Sequence, residues 1–461
     1  MADLVIKNGY VVTMNPERRI HSDGAIAIEG NRIVAVGASA EVLAAHPARE
    51  TIDARGMLVI PGLIDGHNHP SAFLLGGMSD DTDILTGLYQ NLYPYEEVLS
   101  EEETYVCGLG NYLEMIKNGT TCFNDPGGYN VDQLAQAAVD IGIRGIMNRS
   151  TRDVAPPGKP LPPKFFESID VNLREGENVV KRWHGAAGDR IRAWFGLRYV
   201  YNISDDLAIG IRDLARQHGV GVHVHVAAVK GENEAIEAIY GKRSLQRYYD
   251  LGLFGPNLYC VHMGYPNERE VGWLVEHDVK VAHCPSAAMR GAWGVIANRM
   301  MPYMAGRGVC ISIGSDTNGA AGSLDMFRVL YVGATVHRDM YDDPTLWGAY
   351  KVFEMATIDG ARACLWDADI GSLEAGKKAD VVLVDRSAIE WKHPGRDPIR
   401  SLVYSGNGSH VDTVIIDGRM VMRKREVLTV DEERIKRDVE RAGQSWLRKA
   451  GRRVQTPWPV S

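Results

Sequence analysis

The sequence predicts an α/β protein: a (β/α)8 barrel that carries a small β-sandwich domain formed from the N- and C-terminal segments. Short apolar runs alternate with helical stretches between residues 61 and 370, a pattern typical of parallel strands joined by helical crossovers. About eight such runs within about 300 residues favour a closed barrel over an open sheet. Segments that read only as strands flank this region on both sides, and chain ends commonly lie close together.

Four segments follow from this pattern. Residues 1–60 form the first part of the sandwich, 61–370 the barrel, 371–428 the second part of the sandwich, and 429–461 a charged C-terminal helix with a tail. Within the sandwich, Gly30-Asn31 and Asp417-Gly418 each separate two short strand-like runs. Both dipeptides are typical of tight β-hairpin turns, so each predicts a hairpin.

The barrel region can be divided into elements from its apolar periodicity. Helices are predicted over residues 101–118, 131–141 and 207–218, and the first ends at Asn118-Gly119, a common helix C-cap. A proline-rich loop over 152–164 is too long for a tight connection and is a candidate cover for a site. Strands are predicted over residues 120–124, 144–148, 191–197, 221–226, 258–261, 279–283 and 309–314.

Composition excludes several classes of protein. The net charge of -8 provides no basic surface for nucleic acid and slightly disfavours anionic membranes. The six cysteines are scattered without a Cys-x-x-Cys pair, which argues against a disulfide framework and a structural zinc knuckle. Neither a signal peptide nor an apolar run of about 20 residues is visible. We therefore expect a cytoplasmic protein.

Histidine and aspartate recur where the predicted barrel strands end. His67 and His69 follow the apolar run 58–64 and, two residues apart, share one face, so they could hold a metal ion together. His225 lies nearer the C-terminal rim than His223, which we interpret as a packed core residue. Any one of these residues alone is more often structural, but their agreement favours a site. The other strand-end residues are His262, His283 and Asp316.

The motifs that carry this series resemble those of the amidohydrolase superfamily. The similarity rests on His67-Asn68-His69 after Pro61-Gly62, on His225 and His262, on His283-Cys284-Pro285 and on Ser315-Asp316. Within the superfamily, the mononuclear branch of triazine, guanine, cytosine and adenosine-type deaminases and chlorohydrolases is the most similar. The resemblance covers nearly the whole chain and includes the split β-sandwich.

The resemblance implies a role for each of these residues. His67, His69, His225 and Asp316 would hold one divalent metal ion, zinc first, with iron, cobalt or manganese as alternatives. Residues 191–201 contain no lysine to bridge a second metal. Asp316 would take a proton from water, His262 would hydrogen-bond the hydroxide or polarise the substrate, and His283 would line the pocket.

Three further residues are candidates for substrate contact on the sequence alone. Arg198 lies just after the strand predicted over 191–197, beside Tyr199, where it could clamp a substrate. Met289 and Trp293 follow His283-Cys284-Pro285, and Met and Trp near a site suit a flat apolar molecule. Surface exposure of the arginine and core packing of the other two are equally ordinary interpretations.

One position departs from the family pattern. The family usually carries a glutamate three residues after the ligand histidine of the fifth strand, where this sequence has Ala228. That glutamate protonates the ring nitrogen and the leaving amine. Glu232 and Glu234 follow nearby, but we expect solvated carboxylates in the first turn of a helix. General acid catalysis contributes roughly 10²–10⁴-fold to the rate. The absence of this glutamate therefore favours substrates that need less ring protonation.

The leading functional hypothesis is a metal-dependent hydrolase that cleaves a non-peptide carbon–nitrogen bond of a small neutral molecule, such as a heterocycle or xenobiotic. The alternative is hydrolysis of a urea, carbamate or thiocarbamate, or a dechlorination, which Ala228 favours. A degenerate metal-binding scaffold is the non-enzymatic alternative, against which the intact ligand series argues. We expect a small-molecule substrate, no nucleic acid or membrane partner, and a homo-oligomer, dimer or tetramer.

Overall fold

The computed structural model describes residues 1–78, 81–156, 158, 161–394, 397–453, 456 and 458–459. Its strands, β1 to β17, form two sheets. They are β1 (Ala2–Val12), β2 (Ile20–Glu29), β3 (Arg32–Ala38), β4 (Ala48–Asp53), β5 (Met57–Pro61), β6 (Leu63–Asp65), β7 (Thr120–Asn124), β8 (Arg144–Thr151), β9 (Ile191–Leu197), β10 (Val222–Val226), β11 (Leu258–His262), β12 (Lys280–His283), β13 (Ile311–Ile313), β14 (Val381–Asp385), β15 (Val411–Ile416), β16 (Arg419–Arg423) and β17 (Glu426–Val427).

Strands β6 to β13 form the parallel sheet of the barrel in sequence order. The amide of Gly66 donates to the carbonyl of Ile313 at 2.9 Å, and Asn68 pairs with Asp316, so the first and last strands close the sheet. Residues of β7, β8, β10, β11 and β12 are buried throughout, as expected for strands covered on both faces. The predicted (β/α)8 barrel is confirmed.

The second sheet joins the two ends of the chain. Its main path runs β17-β16-β15-β14-β5-β1-β2-β3, and β4 pairs with β1. β14 pairs antiparallel with β5, so Val382 lies beside Ile60 at the contact between the N- and C-terminal parts. The hairpins predicted at Gly30-Asn31 and Asp417-Gly418 are present. The boundaries at 60/61, 370/371 and 428/429 stay a prediction.

Helices surround the barrel and pack on its strands. Shorter helical turns occupy 70–75, 87–92, 163–165, 200–202, 389–391 and 408–410. The α-helices are Ser39–Ala45, Ile84–Thr86, Tyr93–Val98, Glu101–Lys117, Val131–Ile141, Ile169–Trp183, Ala186–Asp189, Asp205–His218, Glu232–Tyr240, Ser244–Asp250, Glu268–Glu276, Pro285–Arg290, Met300–Gly306, Asn318–Ala321, Met326–Tyr341, Ala349–Met355, Ile358–Ala363, Pro398–Tyr404 and Glu432–Lys449.

The C-terminal helix Glu432–Lys449 packs back on the barrel. Its Trp446 is buried against Tyr95, with ring centroids 5.0 Å apart, and its Lys449 contacts Glu103 at 2.8 Å. Of the predicted tail, residues 454, 455, 457, 460 and 461 lie outside the described residues. No helix in the described part of the chain is both long and apolar enough to cross a bilayer. All six cysteines are buried and unpaired.

Candidate metal centre

Four imidazoles and one carboxylate meet at the C-terminal rim of the barrel. His67 and His69 follow β6, His225 lies in β10, His262 ends β11, and Asp316 follows β13. Parallel strands end at the same rim, which explains why residues up to about 250 positions apart come together. All five side chains are buried, with exposed fractions between 0% and 8%.

The distances bring these groups around one point. Nε2 of His67 and Nε2 of His69 lie 3.8 and 3.7 Å from Oδ1 of Asp316. Nε2 of His262 is 4.0 Å from the other carboxylate oxygen. One ligand atom from each of His67, His69 and His225 lies within 4.8 Å of the other two, and the same holds for His67, His262 and Asp316. This spacing suits a single bound cation.

The donor set also fits a divalent cation chemically. Nε2 of His67 is buried and has no hydrogen-bond partner among the described residues. Burial, followed by the neighbouring histidines, holds the pKa of His67 well below its usual range, and burial does the same for His69 and His225. The imidazoles are therefore neutral at physiological pH, the form that binds metals. A carboxylate completes a set of nitrogen and oxygen ligands that zinc accepts.

The backbone at the rim adopts an uncommon conformation. His262 and Asp316 have positive φ angles of 72° and 69°, which side-chain-bearing residues rarely adopt. Such residues cost about 1–3 kcal/mol each and cluster at functional sites. Asp65 supports the turn after β13, because its carboxylate accepts from the amides of Ser315 at 2.9 Å and His67 at 3.2 Å. This turn holds Asp316 at the rim, whereas His262 is held at the end of β11.

A cavity of about 910 Å³, open to solvent on one side, lies over these residues. His69, His225, His262 and Asp316 line it, together with Arg198 and Ala228. A concave site with a few polar groups among apolar side chains is typical of small-molecule binding. Asp81, Asp83 and Arg290 also line the cavity and are exposed, so polar groups mark the open side. Its large apolar side chains include Leu75, Ile84, Leu88, Leu92, Tyr93 and Trp293.

The segment that covers the cavity is 81–93, whereas the sequence favoured the loop 152–164. Leu161 is buried in a cluster with Tyr93 and Phe165, away from the cavity wall. Among the described residues of the loop, Ala155 and Leu161 belong to the same apolar cluster as Leu88 and Leu92 of the 81–93 segment. Residues 157, 159 and 160 of the loop lie outside the described residues.

The comparisons with known proteins agree with this geometry. The model of the Amidohydrolase family matches residues 58–421, and an imidazolonepropionase-like composite domain of bacteria matches residues 24–48. The chain is 32% identical over 450 residues to 5'-deoxyadenosine deaminase of Methanosarcina acetivorans, covering 98% of this chain and 100% of that protein. It is 35% identical over 440 residues to 5-methylthioadenosine/S-adenosylhomocysteine deaminase of Desulforudis audaxviator, covering 95% and 97%. The chain belongs to the amidohydrolase family.

Two solved structures are similar to this chain, and one of them contains a bound metal ion. An adenosine deaminase from Xanthomonas campestris with bound zinc has a TM-score of 0.89 and 28% identity, covering 96% of this chain and 98% of that one. A triazine hydrolase variant has a TM-score of 0.87 at 21% identity, covers 96% and 100%, and supports the fold alone. This amidohydrolase is a metal-dependent hydrolase of non-peptide carbon–nitrogen bonds in small molecules, with one divalent ion as cofactor. These predictions are confirmed, and zinc is the ion in the Xanthomonas structure.

Two predicted contact residues of the amidohydrolase lie in the cavity wall. Trp293 lines the cavity and stands edge-on to His262, with ring centroids 4.8 Å apart. Arg198 also lines it but is only 2% exposed and has partners within the protein. Its guanidinium donates to the carbonyl of Gly127 at 2.8 Å, pairs with Glu96 at 3.4 Å, and lies 3.2 Å from Nδ1 of His69. Arg198 is therefore held in place rather than free to clamp.

Two other predictions need correction. His283 is fully buried at the end of β12 but does not line the cavity; its Nε2 lies 3.0 Å from Nε2 of His337, and its ring packs on Trp347. Met289 is 51% exposed and also lies outside the cavity wall. The short helix Pro285–Arg290 turns its buried face, Ala287 and Ala288, inward, which leaves Met289 facing solvent.

The carboxylates after Ala228 also differ from expectation. Glu232 and Glu234 do lie in the first turn of a helix, and Glu234 is exposed, but Glu232 is fully buried. Glu232 accepts from the amides of Ala227 and Ala228 at 2.5 and 2.9 Å and from the hydroxyl of Tyr199 at 2.9 Å. Buried amides need acceptors, and Gly231 offers no capping side chain. Burial raises the pKa of Glu232 despite these bonds.

His223 matches its interpretation as a hydrogen-bonded core residue. It is fully buried, one layer below His225, and contacts both His67 and Asn124 at 3.0 Å. Sequence reasoning missed Asn124 as a neighbour of the centre. The signal available was its place at the C-terminal end of a predicted barrel strand, the end at which barrel sites form.

Proposed function

We propose that this amidohydrolase removes the exocyclic amino group of a flat, neutral heterocycle of nucleoside size. The observation that carries the proposal is the cluster of four buried histidines and one buried aspartate, most of which line a largely apolar cavity. The names of the relatives support it, since they are deaminases of 5'-deoxyadenosine and of 5-methylthioadenosine or S-adenosylhomocysteine.

In this proposal His67, His69, His225 and Asp316 hold the metal. A bound divalent cation lowers the pKa of water and so supplies a nucleophile at neutral pH. Asp316 also lies 4.0 Å from His262, so its carboxylate can take a proton at the centre of the site. Burial raises the pKa of Asp316 to about 7, although Arg198 lowers it, and a nearby cation would lower it further.

His262 and Trp293 orient the substrate in this proposal. His262 lines the cavity as a neutral imidazole, because burial lowers its pKa to about 3. Its Nδ1 has no partner among the described residues, and a neutral ring can donate or accept a hydrogen bond. The indole of Trp293 provides an apolar surface beside it, which suits the face of an aromatic ring.

A second candidate is hydrolysis of a urea, carbamate or thiocarbamate, which Ala228 favours. Ala228 lines the cavity where the family carries its acid. Tyr199 also lines the cavity, but its hydroxyl donates its proton to Glu232 and so does not supply an acid to the substrate. Substrates whose leaving group needs no ring protonation depend less on an acid there. Dechlorination belongs to the same candidate.

A product screen separates the two candidates. Zinc-loaded protein is incubated with aminopurine nucleosides, aminotriazines, chlorotriazines, ureas, carbamates and thiocarbamates, and ammonia and organic products are measured. The leading proposal expects ammonia from an amino heterocycle. Turnover confined to ureas, carbamates or thiocarbamates, or halide release without ammonia, would replace it with the second candidate.

The Ala228→Glu variant tests the missing acid itself. If ring protonation limits deamination, the variant raises the rate on amino heterocycles by about 10²-fold, the low end of general-acid effects. Ala228→Gln is the matched control, because glutamine is nearly the same size as glutamate but cannot donate the proton of a carboxylic acid. We expect no increase in the rate on amino heterocycles for this variant. Equal rates for the two variants and the wild type would show that proton supply at position 228 does not limit the reaction.

We further propose that the protein is a cytoplasmic homo-oligomer, dimer or tetramer. The net charge of -8 favours a soluble protein and gives no excess of positive charge for a nucleic-acid partner. Light scattering at several protein concentrations measures the assembly state, and a monomer at all concentrations would contradict the proposal.

A further inference from the structure

A buried chain of polar side chains leads away from the metal centre. Nδ1 of His67 lies 3.0 Å from Nε2 of His223, and Nδ1 of His223 lies 3.0 Å from Oδ1 of Asn124. All three side chains are 0% exposed, so solvent does not share these contacts. This series of contacts joins β7, β10 and the segment after β6 beneath the rim.

The chemistry of the last member determines the protonation of the others. An amide oxygen only accepts hydrogen bonds, so Nδ1 of His223 must carry a proton. A neutral His223 then has a lone pair on Nε2, and this lone pair must accept from Nδ1–H of His67. His67 is left with a lone pair on its own Nε2, the buried atom without a protein partner, 3.8 Å from Asp316.

Two neighbours favour this orientation of the Asn124 amide. Nδ2 of Asn148 lies 3.4 Å from Oδ1 of Asn124 and can donate to it. Nδ2 of Asn124 lies 4.0 Å from Sγ of Cys364, a weak acceptor. With the amide reversed, two amide nitrogens would face each other. Each donor in the series from His67 to Asn124 therefore faces an acceptor.

We propose that Asn124 and His223 are positioning residues that hold His67 in the tautomer with a free Nε2, the atom that binds the metal. The inference rests on the proposed ligand role of His67. Metal-binding histidines commonly have such a partner on the second nitrogen, and its loss typically costs 10- to 100-fold in metal affinity. Here the partner is another histidine, oriented in turn by an amide.

The alternative is that His223 is only a packing residue. Its ring stands edge-on to Tyr259, with centroids 5.0 Å apart, so a truncation could weaken the barrel core without any effect through His67. The test therefore pairs each disruptive variant with one of similar volume that keeps the acceptor. Asn124→Asp retains the oxygen that Asn124→Leu removes, and His223→Gln retains an acceptor that His223→Leu removes.

Zinc affinity is measured by chelator competition on the full-length protein without substrate. We expect about 10- to 100-fold weaker binding for Asn124→Leu and His223→Leu, with Asn124→Asp and His223→Gln close to wild type. Wild-type affinity in Asn124→Leu would overturn the proposal. Equal losses in Asn124→Asp and Asn124→Leu would overturn it as well, because a reversed amide would then be donating to His223.

Nitrogen-15 NMR of histidine-labelled protein after removal of metal gives a second readout that packing alone does not change. We expect His67 to carry its proton on Nδ1 in the wild type and to populate the other tautomer in His223→Leu. A proton on Nε2 of His67 in the wild type would overturn the proposal. Both measurements omit substrate, so failure to deaminate any heterocycle would refute the proposed function and leave this result standing.

Discussion

At the scale of single residues, Trp293 and Met289 illustrate how the site is assembled. Both follow β12 within a few residues of each other, and both are large and apolar. Trp293 packs against His262 in the cavity wall, whereas Met289 is 51% exposed on the short helix Pro285–Arg290. The difference lies in which face of the chain turns inward, and it provides a matched pair for mutation.

Trp293→Ala is expected to weaken substrate binding. A large apolar side chain contributes about 1.5–3 kcal/mol when it is buried against a ligand, which corresponds to about a 10- to 150-fold rise in KM. The KM of Trp293→Ala is measured by steady-state kinetics on the substrate found by the product screen. Met289→Ala should leave KM unchanged. A rise in KM for Met289→Ala as large as that for Trp293→Ala would contradict the assigned cavity wall.

The strand-end residues could be predicted individually because each ends an apolar run. His67, His69, His225, His262 and Asp316 come together as expected. His283 ends its run in the same way, yet it turns toward His337. The residues around His283 do not predict this direction, because His337 lies on a helix 54 residues later. Partners at such a distance decide the direction of a side chain, and local patterns do not contain them.

At the scale of elements, the close approach of the first and last barrel strands positions the ligands. A Cβ atom on Gly314 would lie 2.8 Å from the backbone nitrogen of His67. Contacts below about 3 Å force the backbone to move, because a core has little free volume. Gly314 thus permits the turn in which the amide of Asp316 donates to the carbonyl of His67 at 2.8 Å.

Gly314→Ala is expected to lower the free energy of unfolding by about 1–3 kcal/mol, the usual cost of overpacking, and to weaken metal binding. Urea denaturation and chelator competition measure the two effects. Gly272→Ala is the control: it lies inside the helix Glu268–Glu276 with no atom within 4 Å of an added Cβ. That variant should be neutral or more stable by up to about 1 kcal/mol. Equal losses in both would contradict the argument.

Strands were more predictable than the cover of the cavity. Strands β7 and β9 have the bounds expected from sequence, because β7 directly follows the helix end at Asn118-Gly119 and β9 is a mostly apolar run. The covering segment 81–93 mixes polar and apolar residues in short helical turns. Its apolar side chains are distributed over a cavity whose other walls come from distant segments. A single local period does not reveal such a segment.

At the scale of the whole molecule, a buried ion cluster joins the barrel to the terminal sheet. Arg144, at the start of β8, contacts Asp380 at 2.7 Å and Asp417 at 3.1 Å. The arginine side chain is 0% exposed, and the amide of Asp417 also donates to Asp380 at 2.7 Å. These contacts couple the two parts of the chain, and sequence patterns could not predict them because the partners lie 236 and 273 residues away.

Arg144→Met is expected to lower the free energy of unfolding by about 3 kcal/mol or more, because it leaves the buried carboxylate of Asp380 without its cation, whereas Asp417 keeps Lys378 at 3.4 Å. Arg423→Met is the matched control. Its ion pair with Glu50 joins the C- and N-terminal segments, but both side chains are about half exposed. We therefore expect the free energy of unfolding to fall by less than about 1 kcal/mol. Urea denaturation of both variants measures the difference. Similar losses would contradict a coupling role for Arg144.

The metal content of the purified protein tests the central claim most directly. Mass spectrometry of the wild type after dialysis should give one divalent ion per chain. His67→Asn should fall well below one, and His283→Asn, which changes a strand-end histidine whose Nε2 is engaged by His337, should keep one. A wild type without a stoichiometric divalent ion, or a His67→Asn variant with a full complement, would contradict the account.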